Sequence, residues 1–375
     1  MNRRSVRVAV ISTIPFTYSN RGDDILTQAL MRMGCEVTHI ACASDAYLKD
    51  FGNFLTPEDM KQVVLPLNRF GYIDKLMWWM PRSAGRIAIR RSIRGIKFDF
   101  NSFDAIVIGS GKPTFLLPLL PDHATVVYRQ SDPMSMMFRG KCAHEMEKDL
   151  ILRADAILCV RKMGAGLPLY GIGEKKATII ENGFDIPEVV PAGDDLLARP
   201  GRKTAVYVGY TPVDEDLVSA LSSGVPEIDF HLIGSCLSKR GQHALKQCNN
   251  VICHGTMKPD DFLPIVARAD IGIVPYAEGE YLKGIGLNSK YLMFMKMGLP
   301  IVSVPVGCQE EFPESDHLHF VSSADDFVAC IRKELERPSR NCSYDIDFET
   351  YSKEGRIRAY IDFFTDLFNA HSLAI

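Results

Sequence analysis

Residues 270–304 read DIGIVPYAEGEYLKGIGLNSKYLMFMKMGLPIVSV, and this stretch decides the fold class. Its apolar runs Ile271 to Val274 and Ile301 to Val304 predict two buried strands, separated by a glycine-rich loop and a helix that carries Lys290. Ligands of parallel sheets bind beyond the strand carboxyl ends, so the pattern predicts a site in the loop from Pro275 to Asn288. An ordinary crossover without a ligand is the alternative.

The same alternation of strands and helices extends in both directions and breaks once, in a segment rich in proline and glycine. The opening β-α-β pattern is Rossmann-like, but Ser12 to Gly22 lacks the GxGxxG fingerprint, which argues against a bound dinucleotide. We therefore predict an α/β protein of two Rossmann-like, doubly wound domains that face each other across a cleft. The expected parts are a first domain (1–184), a linker (185–203), a second domain (204–345) and a C-terminal helix (346–375) that docks back on the first domain.

Composition excludes several classes of protein. A net charge of -3 over 375 residues gives no general attraction to nucleic acid. The ten cysteines include no CxxC pair, so a reducing compartment is expected. No apolar run approaches the length of a spanning helix, so any contact with a membrane is expected from one side.

One segment of the first half combines cations with aromatic residues. Between Tyr72 and Lys97, apolar side chains interleave with arginines, as in helices that lie in the headgroup region of an anionic membrane. The residues predicted to contact the membrane are Trp78, Trp79, Arg82, Arg86, Arg90 and Arg91. A second patch of similar character runs from Met134 to Lys141. An internal helix with a solvated arginine face is the alternative for both, and the lack of a nucleic-acid-binding motif argues against nucleic acid.

Asp132 ends the sequence YRQSD (128–132), which follows a predicted buried strand of the first half. A carboxylate at the carboxyl edge of a sheet can act as a general base toward a hydroxyl. Because Pro133 follows it, a helix N-cap is an equally good interpretation.

The second half offers further candidates. Gly209, followed by Tyr210, ends the first strand of that half, where a glycine lets backbone approach a phosphate. Lys290 can neutralise an anion as a point charge, and surface solvation is the alternative. The acidic run Asp214 to Asp216 looks like a metal-binding DxD but is better explained as the start of a helix.

Five motifs, in the same order along both halves, carry a family resemblance: YRQSD (128–132), VGY (208–210), HGTMK (254–258), GIVPYAE (272–278) and SKYLMFMKMGLP (289–300). With them the chain resembles GT-B glycosyltransferases, and within that group the GT70 family, whose inverting glucuronosyltransferase extends the lipid-linked oligosaccharide of xanthan. The first 100 residues are similar only in general layout.

The resemblance implies a role for several residues. Asp132 would be the catalytic base, Met257 and Tyr276 would hold the uridine nucleotide, and Lys290 would contact the diphosphate or the glucuronate carboxylate. Three positions depart from the family pattern, where a glutamate, a methionine and a glutamine are replaced by Thr256, Thr211 and Met293. The full set expected to bind the donor is Gly209, Tyr210, Thr256, Met257, Tyr276, Lys290 and Met293. Retaining GT-B enzymes carry two glutamates at positions equivalent to Gly286 and Met293, so the resemblance disfavours that class.

The expected activity follows from the resemblance. It is an inverting transfer of a sugar, expected to be glucuronic acid from UDP-glucuronate, to a lipid-linked oligosaccharide in bacterial exopolysaccharide synthesis, with no metal or other cofactor. The first domain would bind the acceptor and contact the cytoplasmic face of the inner membrane. The second domain would bind the donor. A GT-B UDP-sugar epimerase and a non-catalytic nucleotide-sugar binding protein are the alternatives.

Overall fold

The computed structural model describes residues 5–16, 22–42, 60–65, 82–93, 96–131, 134, 141–160, 177–183, 199, 201–337 and 341–373. The chain divides into two compact units. The first comprises Met1–Gly183 with Glu349–Ile375, and the second comprises Phe184–Phe348.

The first unit is built on a seven-stranded parallel sheet with the order β3-β2-β1-β4-β5-β6-β7. Its strands are β1 Arg7–Ser12, β2 Glu36–Ala41, β3 Lys61–Val64, β4 Ala105–Gly109, β5 Thr125–Gln130, β6 Ala156–Cys159 and β7 Ala177–Ile179. The central strands are apolar runs because both faces of the sheet are covered. The strand order reverses between β1 and β4, the position at which doubly wound sheets bind ligands.

Helices cover both faces of this sheet. They are α1 Gly22–Arg32, α2 Arg82–Ile93 and α3 Lys141–Arg153. Ile89 and Ile93 of α2 are one turn apart and enter the same core as Phe115 and Met146, whereas α1 packs in the core on the other face. The helix α3 ends at Arg153.

The second unit repeats the architecture with a six-stranded parallel sheet of order β10-β9-β8-β11-β12-β13. Its strands are β8 Lys203–Val208, β9 Ile228–Ile233, β10 Val251–Gly255, β11 Ile271–Val274, β12 Ile301–Ser303 and β13 Leu318–Phe320. Its helices are α4 Glu215–Gly224, α5 Lys239–Leu245, α6 Pro259–Arg268, α7 Ser289–Lys296 and α8 Ala324–Leu335. The predicted class of two doubly wound α/β domains is confirmed.

Capping residues explain where the helices of the second unit begin. The Asp214 carboxylate accepts hydrogen bonds from the backbone N–H groups of Asp216 (3.0 Å) and Leu217 (2.9 Å). It is therefore the N-cap of α4, and the acidic first turn complements the helix dipole. This confirms the interpretation of Asp214 to Asp216 as a helix start.

The C-terminal segment returns to the first unit. It forms a short helix, α9 (Phe348–Tyr351), and a long one, α10 (Lys353–Ala370). Tyr360, Phe364 and Phe368 recur every four residues, so they share one face of α10 and are buried in the core that also contains α1. This stripe of aromatic side chains attaches the C-terminal segment to the first unit.

Replacing Phe364 by alanine is expected to destabilise the first unit by about 3–5 kcal/mol, because Phe364 is fully buried and alanine would leave a cavity. The measurement is denaturant unfolding followed by intrinsic fluorescence. Phe363→Ala is the matched control, since Phe363 is only partly buried. Equal losses of stability in the two variants would contradict the assignment of the packed face.

Candidate functional site

Three glycines lie at the carboxyl ends of β8, β9 and β10. Gly209, Gly234 and Gly255 have φ angles of 152°, 111° and 70°, a region that side chains with a Cβ rarely adopt. Gly209 N–H donates to Ile233 (2.9 Å), and Gly234 N–H donates to Gly255 (2.7 Å). A Cβ at position 234 would collide with the Gly209 carbonyl. Close packing of neighbouring strand ends therefore requires glycine at position 234.

The loop after β8 and the loop after β11 are joined across the point where the strand order reverses. Ala277 N–H donates to Pro212 (2.9 Å), and Asp214 N–H donates to Pro275 (2.8 Å). These two bonds flank Tyr276, which is buried. The structure thereby fixes Tyr276 at the edge predicted from the sequence.

Lys290 is buried between two tyrosine rings. Its Nζ lies 3.7 Å from the centroid of the Tyr207 ring and 4.4 Å from that of Tyr276, and donates to the Tyr276 hydroxyl at 3.2 Å. A Cβ at Gly209 would come within 2.9 Å of the same Nζ. The ammonium thus lies directly behind the glycine at the end of β8, and the alternative of a solvated surface lysine is wrong.

The sequence around Lys290 explains its position. Asn288 is the N-cap of α7, and its side chain accepts from the Lys290 backbone N–H at 3.0 Å. Lys290 therefore stands in the first turn of a helix whose N-terminus points toward the sheet edge.

Burial lowers the pKa of the Lys290 ammonium well below its ordinary value. No carboxylate among the residues that the structure describes lies within 4 Å of Nζ, so tyrosine π-electrons and one hydroxyl are its partners there. A desolvated cation without a counterion is costly, and an anion bound at this point would offset that cost.

Thr256 and Met257 follow β10 at the same edge. The Thr256 hydroxyl lies 3.0 Å from the hydroxyl of Ser235, which follows Gly234, so β9 and β10 together present two exposed hydroxyls. Met257 is half-buried next to them. Two hydroxyls and an apolar side chain thus lie next to each other at this edge of the sheet.

His254 pairs with a second histidine that the sequence analysis did not select. His231 Nδ1 and His254 Nε2 lie 2.9 Å apart and the rings stack. Burial, and then the proximity of His254, lower the pKa of His231 to about 4, and burial lowers the pKa of His254. Both rings are thus neutral near pH 7, and the pair links β10 to β9.

The two remaining predicted donor contacts differ in exposure. Tyr210 is 66% exposed at the end of β8, where it can meet a ligand. Met293 is buried one turn after Lys290 in α7. Its exposed fraction, 7%, is similar to that of Lys290, 8%.

A cavity of about 640 Å³ opens at the carboxyl ends of β11, β12 and β13. Tyr276, Val304 and Pro305 form part of its wall, together with the carboxylate residues Asp214 and Glu278. No group of three or more His, Cys, Asp or Glu side chains in the described part of the chain is arranged to hold a metal ion.

Asp132 lies outside the described residues, but the strand that leads to it is well defined. The guanidinium of Arg129, only 3% exposed, donates to Asp23 (2.7 Å) and Asn182 (2.9 Å) and contacts the Tyr360 hydroxyl at 3.4 Å. Arg129 thereby ties the end of β5 to α1, to the segment after β7 and to α10. In the YRQSD motif this residue has a structural role.

The predicted membrane segment is partly described. Trp78 and Trp79 lie outside the described residues, and Arg82 begins α2. Arg90 and Arg91 are exposed, Arg86 pairs with Asp149, and Ile87 is 53% exposed beside them. Two shallow cavities of about 230 and 510 Å³ lie along this side of α2. The outer face of α2 is thus cationic with an apolar component.

The second patch predicted to contact the membrane, Met134 to Lys141, is contradicted at its first residue. Met134 is fully buried, and its sulfur accepts from the Gly111 N–H, so it cannot contact a membrane. Within the described residues, no helix is long and apolar enough to cross a bilayer.

Comparison with known proteins agrees with this geometry. Residues 202–337 match the family model "Glycosyl transferases group 1". A curated relative, the UDP-glucuronate:glycolipid 2-beta-glucuronosyltransferase of Xanthomonas campestris pv. campestris, is 26% identical over 246 residues, covering 63% of this chain and 57% of the relative. The match thus spans little more than half of that enzyme.

Solved structures share the whole fold. Anabaena Alr3699/HepE, solved with UDP and glucose, has a TM-score of 0.62 at 13% identity over 97% of this chain and 100% of its own. The lipopolysaccharide outer core galactosyltransferase WaaB reaches 0.55 at 15% identity, over 97% and 99%. The UDP-GlcNAc 2-epimerase of Methanocaldococcus jannaschii reaches 0.57 at 10%, over 97% and 100%. At these identities the likeness establishes the two-domain GT-B fold.

Proposed function

We propose that this protein is an inverting glycosyltransferase that transfers a sugar from a UDP-sugar to a lipid-linked acceptor. The observation that carries the proposal is the buried Lys290 ammonium, which lies behind Gly209 at the carboxyl edge of the unit that matches the glycosyltransferase model. The glycolipid glucuronosyltransferase among the relatives supports the same activity.

The donor diphosphate would bind beside Gly209, where the absence of a Cβ lets the Lys290 ammonium lie close to the backbone. Charge grows on the diphosphate as the sugar leaves, and the Lys290 ammonium is positioned to stabilise it without reorganising. The nucleotide would extend along Tyr276, Thr256 and Met257, and Tyr210 would close over it. With a protein cation in this position, the proposed scheme requires no metal.

The transfer would be a single displacement. Asp132 accepts the proton of the acceptor hydroxyl while its oxygen attacks the anomeric carbon. The bond from that carbon to the diphosphate breaks with its electron pair, UDP leaves from the opposite face, and the configuration inverts.

We propose glucuronic acid as the transferred sugar and bacterial exopolysaccharide synthesis within the GT70 family as the setting. The support is the named activity of the Xanthomonas relative and the five motifs shared with that family. Because Thr211, Thr256 and Met293 depart from the family pattern, some contacts to the donor would differ from those of the family.

A UDP-sugar epimerase is the second candidate, because epimerases of the same fold are among the structural neighbours. In the described part of the chain, the hydrogen-bond partner of the His254 ring is His231, and no carboxylate bonds to it. Acid–base chemistry on a bound donor would need such a carboxylate. Conversion of the UDP-sugar into an epimer without any acceptor would favour the epimerase.

Asp132→Asn is expected to reduce transfer from UDP-glucuronate to a glycolipid extract of bacterial membranes by at least about 100-fold, because the amide cannot accept the proton. Radiolabel transfer measures the rate, and calorimetry with UDP is expected to show unchanged affinity. Asp122→Asn, the same change at an exposed position of the same unit, is the control. Transfer near the wild-type rate in Asp132→Asn would reject the assignment of the base.

Lys290→Ala is expected to weaken binding of UDP, UDP-glucose and UDP-glucuronate by a similar factor, roughly 10- to 100-fold, because a charge-assisted contact to the shared diphosphate is lost. Calorimetry with the three nucleotides measures this. The control is Lys296→Ala, which removes an exposed lysine of the same helix. A loss confined to UDP-glucuronate would instead assign Lys290 to the sugar carboxylate.

We also propose that the protein binds peripherally to the cytoplasmic face of the inner membrane through α2 and the preceding tryptophans. Replacing Arg90 and Arg91 by glutamine is expected to weaken binding to phosphatidylglycerol vesicles by about 2 kcal/mol, roughly 30-fold, since each cation near an anionic surface contributes about 1 kcal/mol. Co-sedimentation measures it, and glutamine at Lys239 and Arg240, exposed in α5, is the control. Wild-type protein that stays in the supernatant with these vesicles would refute the proposal.

A further inference from the structure

Glu147 of α3 is fully buried beneath the end of β5. Its Oε1 accepts hydrogen bonds from the Tyr128 hydroxyl (2.7 Å) and from Gln130 Nε2 (2.8 Å). Its Oε2 accepts from the backbone N–H of Met134 at 3.0 Å. Three donors therefore converge on one interior carboxylate, and they offset the cost of burying it.

Ser110, at the end of β4, extends this network to the other side of the segment. Its hydroxyl lies 3.2 Å from the Tyr128 hydroxyl and accepts from the backbone N–H of Ser131 at 3.2 Å. The chain is thus held immediately before residue 132 by Ser110 and immediately after residue 133 by Glu147. Both anchors share the Tyr128 hydroxyl.

The two faces of β5 are held independently. Side chains alternate along a strand, so Tyr128 and Gln130 both point toward Glu147, and Arg129 points to the opposite face, toward Asp23. Burial, and then the Glu147 carboxylate, raise the pKa of Tyr128 well above its ordinary value, which keeps its hydroxyl a donor. The strand therefore has little freedom to shift or rotate where it ends.

We infer that Glu147 is a positioning residue for Asp132, acting through the backbone of Met134. The inference rests on the proposed function, in which Asp132 is the base. Asp132 lies two residues from Met134, so chain geometry keeps their Cα atoms within about 7 Å. The chain is anchored at Ser131 and at Met134, on either side of Asp132 in sequence, and the Glu147 charge contributes to the potential that Asp132 experiences.

Glu147→Gln tests the inference, because the amide has nearly the same shape but loses the charge and one strong acceptor. The turnover number for transfer from UDP-glucuronate to a glycolipid extract is expected to fall roughly 10- to 100-fold, as for a small misplacement of a catalytic group. UDP affinity, a property of the second unit, is expected to stay unchanged. The acid limb of the kcat–pH profile is expected to move to lower pH, because a negative charge near the base has been removed.

Glu145→Gln is the matched control, since it makes the same change in the same helix at a half-buried position. If Glu147→Gln does not fold, Tyr128→Phe removes one donor to the carboxylate, and a several-fold fall in kcat with unchanged UDP affinity is expected. A kcat within threefold of wild type in the folded variant, or a loss that is equal at every pH, overturns the inference. Failure of the proposed function itself is distinguished by the wild-type protein, which would then transfer no sugar, and failure of the base assignment by Asp132→Asn, which would then transfer sugar at the wild-type rate.

Discussion

Parallel strands impose one constraint from which the candidate chemistry of this protein follows. All strands of a parallel sheet end at the same edge, so residues far apart in sequence converge there once the strand order is set. In the second unit this brings Gly209, Gly234 and Gly255 together with Lys290, which follows the fourth strand of that sheet. In the first unit the same constraint brings the end of β5 beside Ser110 at the end of β4.

A buried charge lies close to this edge in each unit, Lys290 in the second and Glu147 in the first, and the two are opposite in sign. The Lys290 ammonium is held by two tyrosine rings, which attract a cation without neutralising it. The Glu147 carboxylate accepts hydrogen bonds from Tyr128, Gln130 and the backbone of Met134. It therefore holds the segment of chain after β5 in place. In both arrangements a charged group loses its hydration but is held in a fixed position. Groups held in this way do not have to reorganise during a reaction.

Much of the fold was predictable, because buried parallel strands are continuous apolar runs. The strand Ile271–Val274 was predicted with the observed bounds, and the strand predicted from Ile301 to Val304 is observed as Ile301–Ser303. The helix Lys239–Leu245 escaped prediction because its seven residues show no apolar period, and Lys61–Val64 because a short, half-exposed edge strand carries little pattern. Within the site, Tyr207 looked like any aromatic residue of a strand, and Glu147 looked like a solvated acid of an amphipathic helix. Their roles depend on which strands are neighbours, and this information is absent from local sequence.

The stereochemistry of the product tests the central claim most directly. UDP-glucuronate carries an α-linked sugar, and a single displacement with one base must invert that centre. We expect that the anomeric proton of the transferred sugar, observed by NMR in the isolated glycolipid, shows a β linkage, with one UDP released for each sugar transferred. An α-linked product would contradict the inverting mechanism, and a changed nucleotide sugar with no transfer would contradict glycosyl transfer altogether.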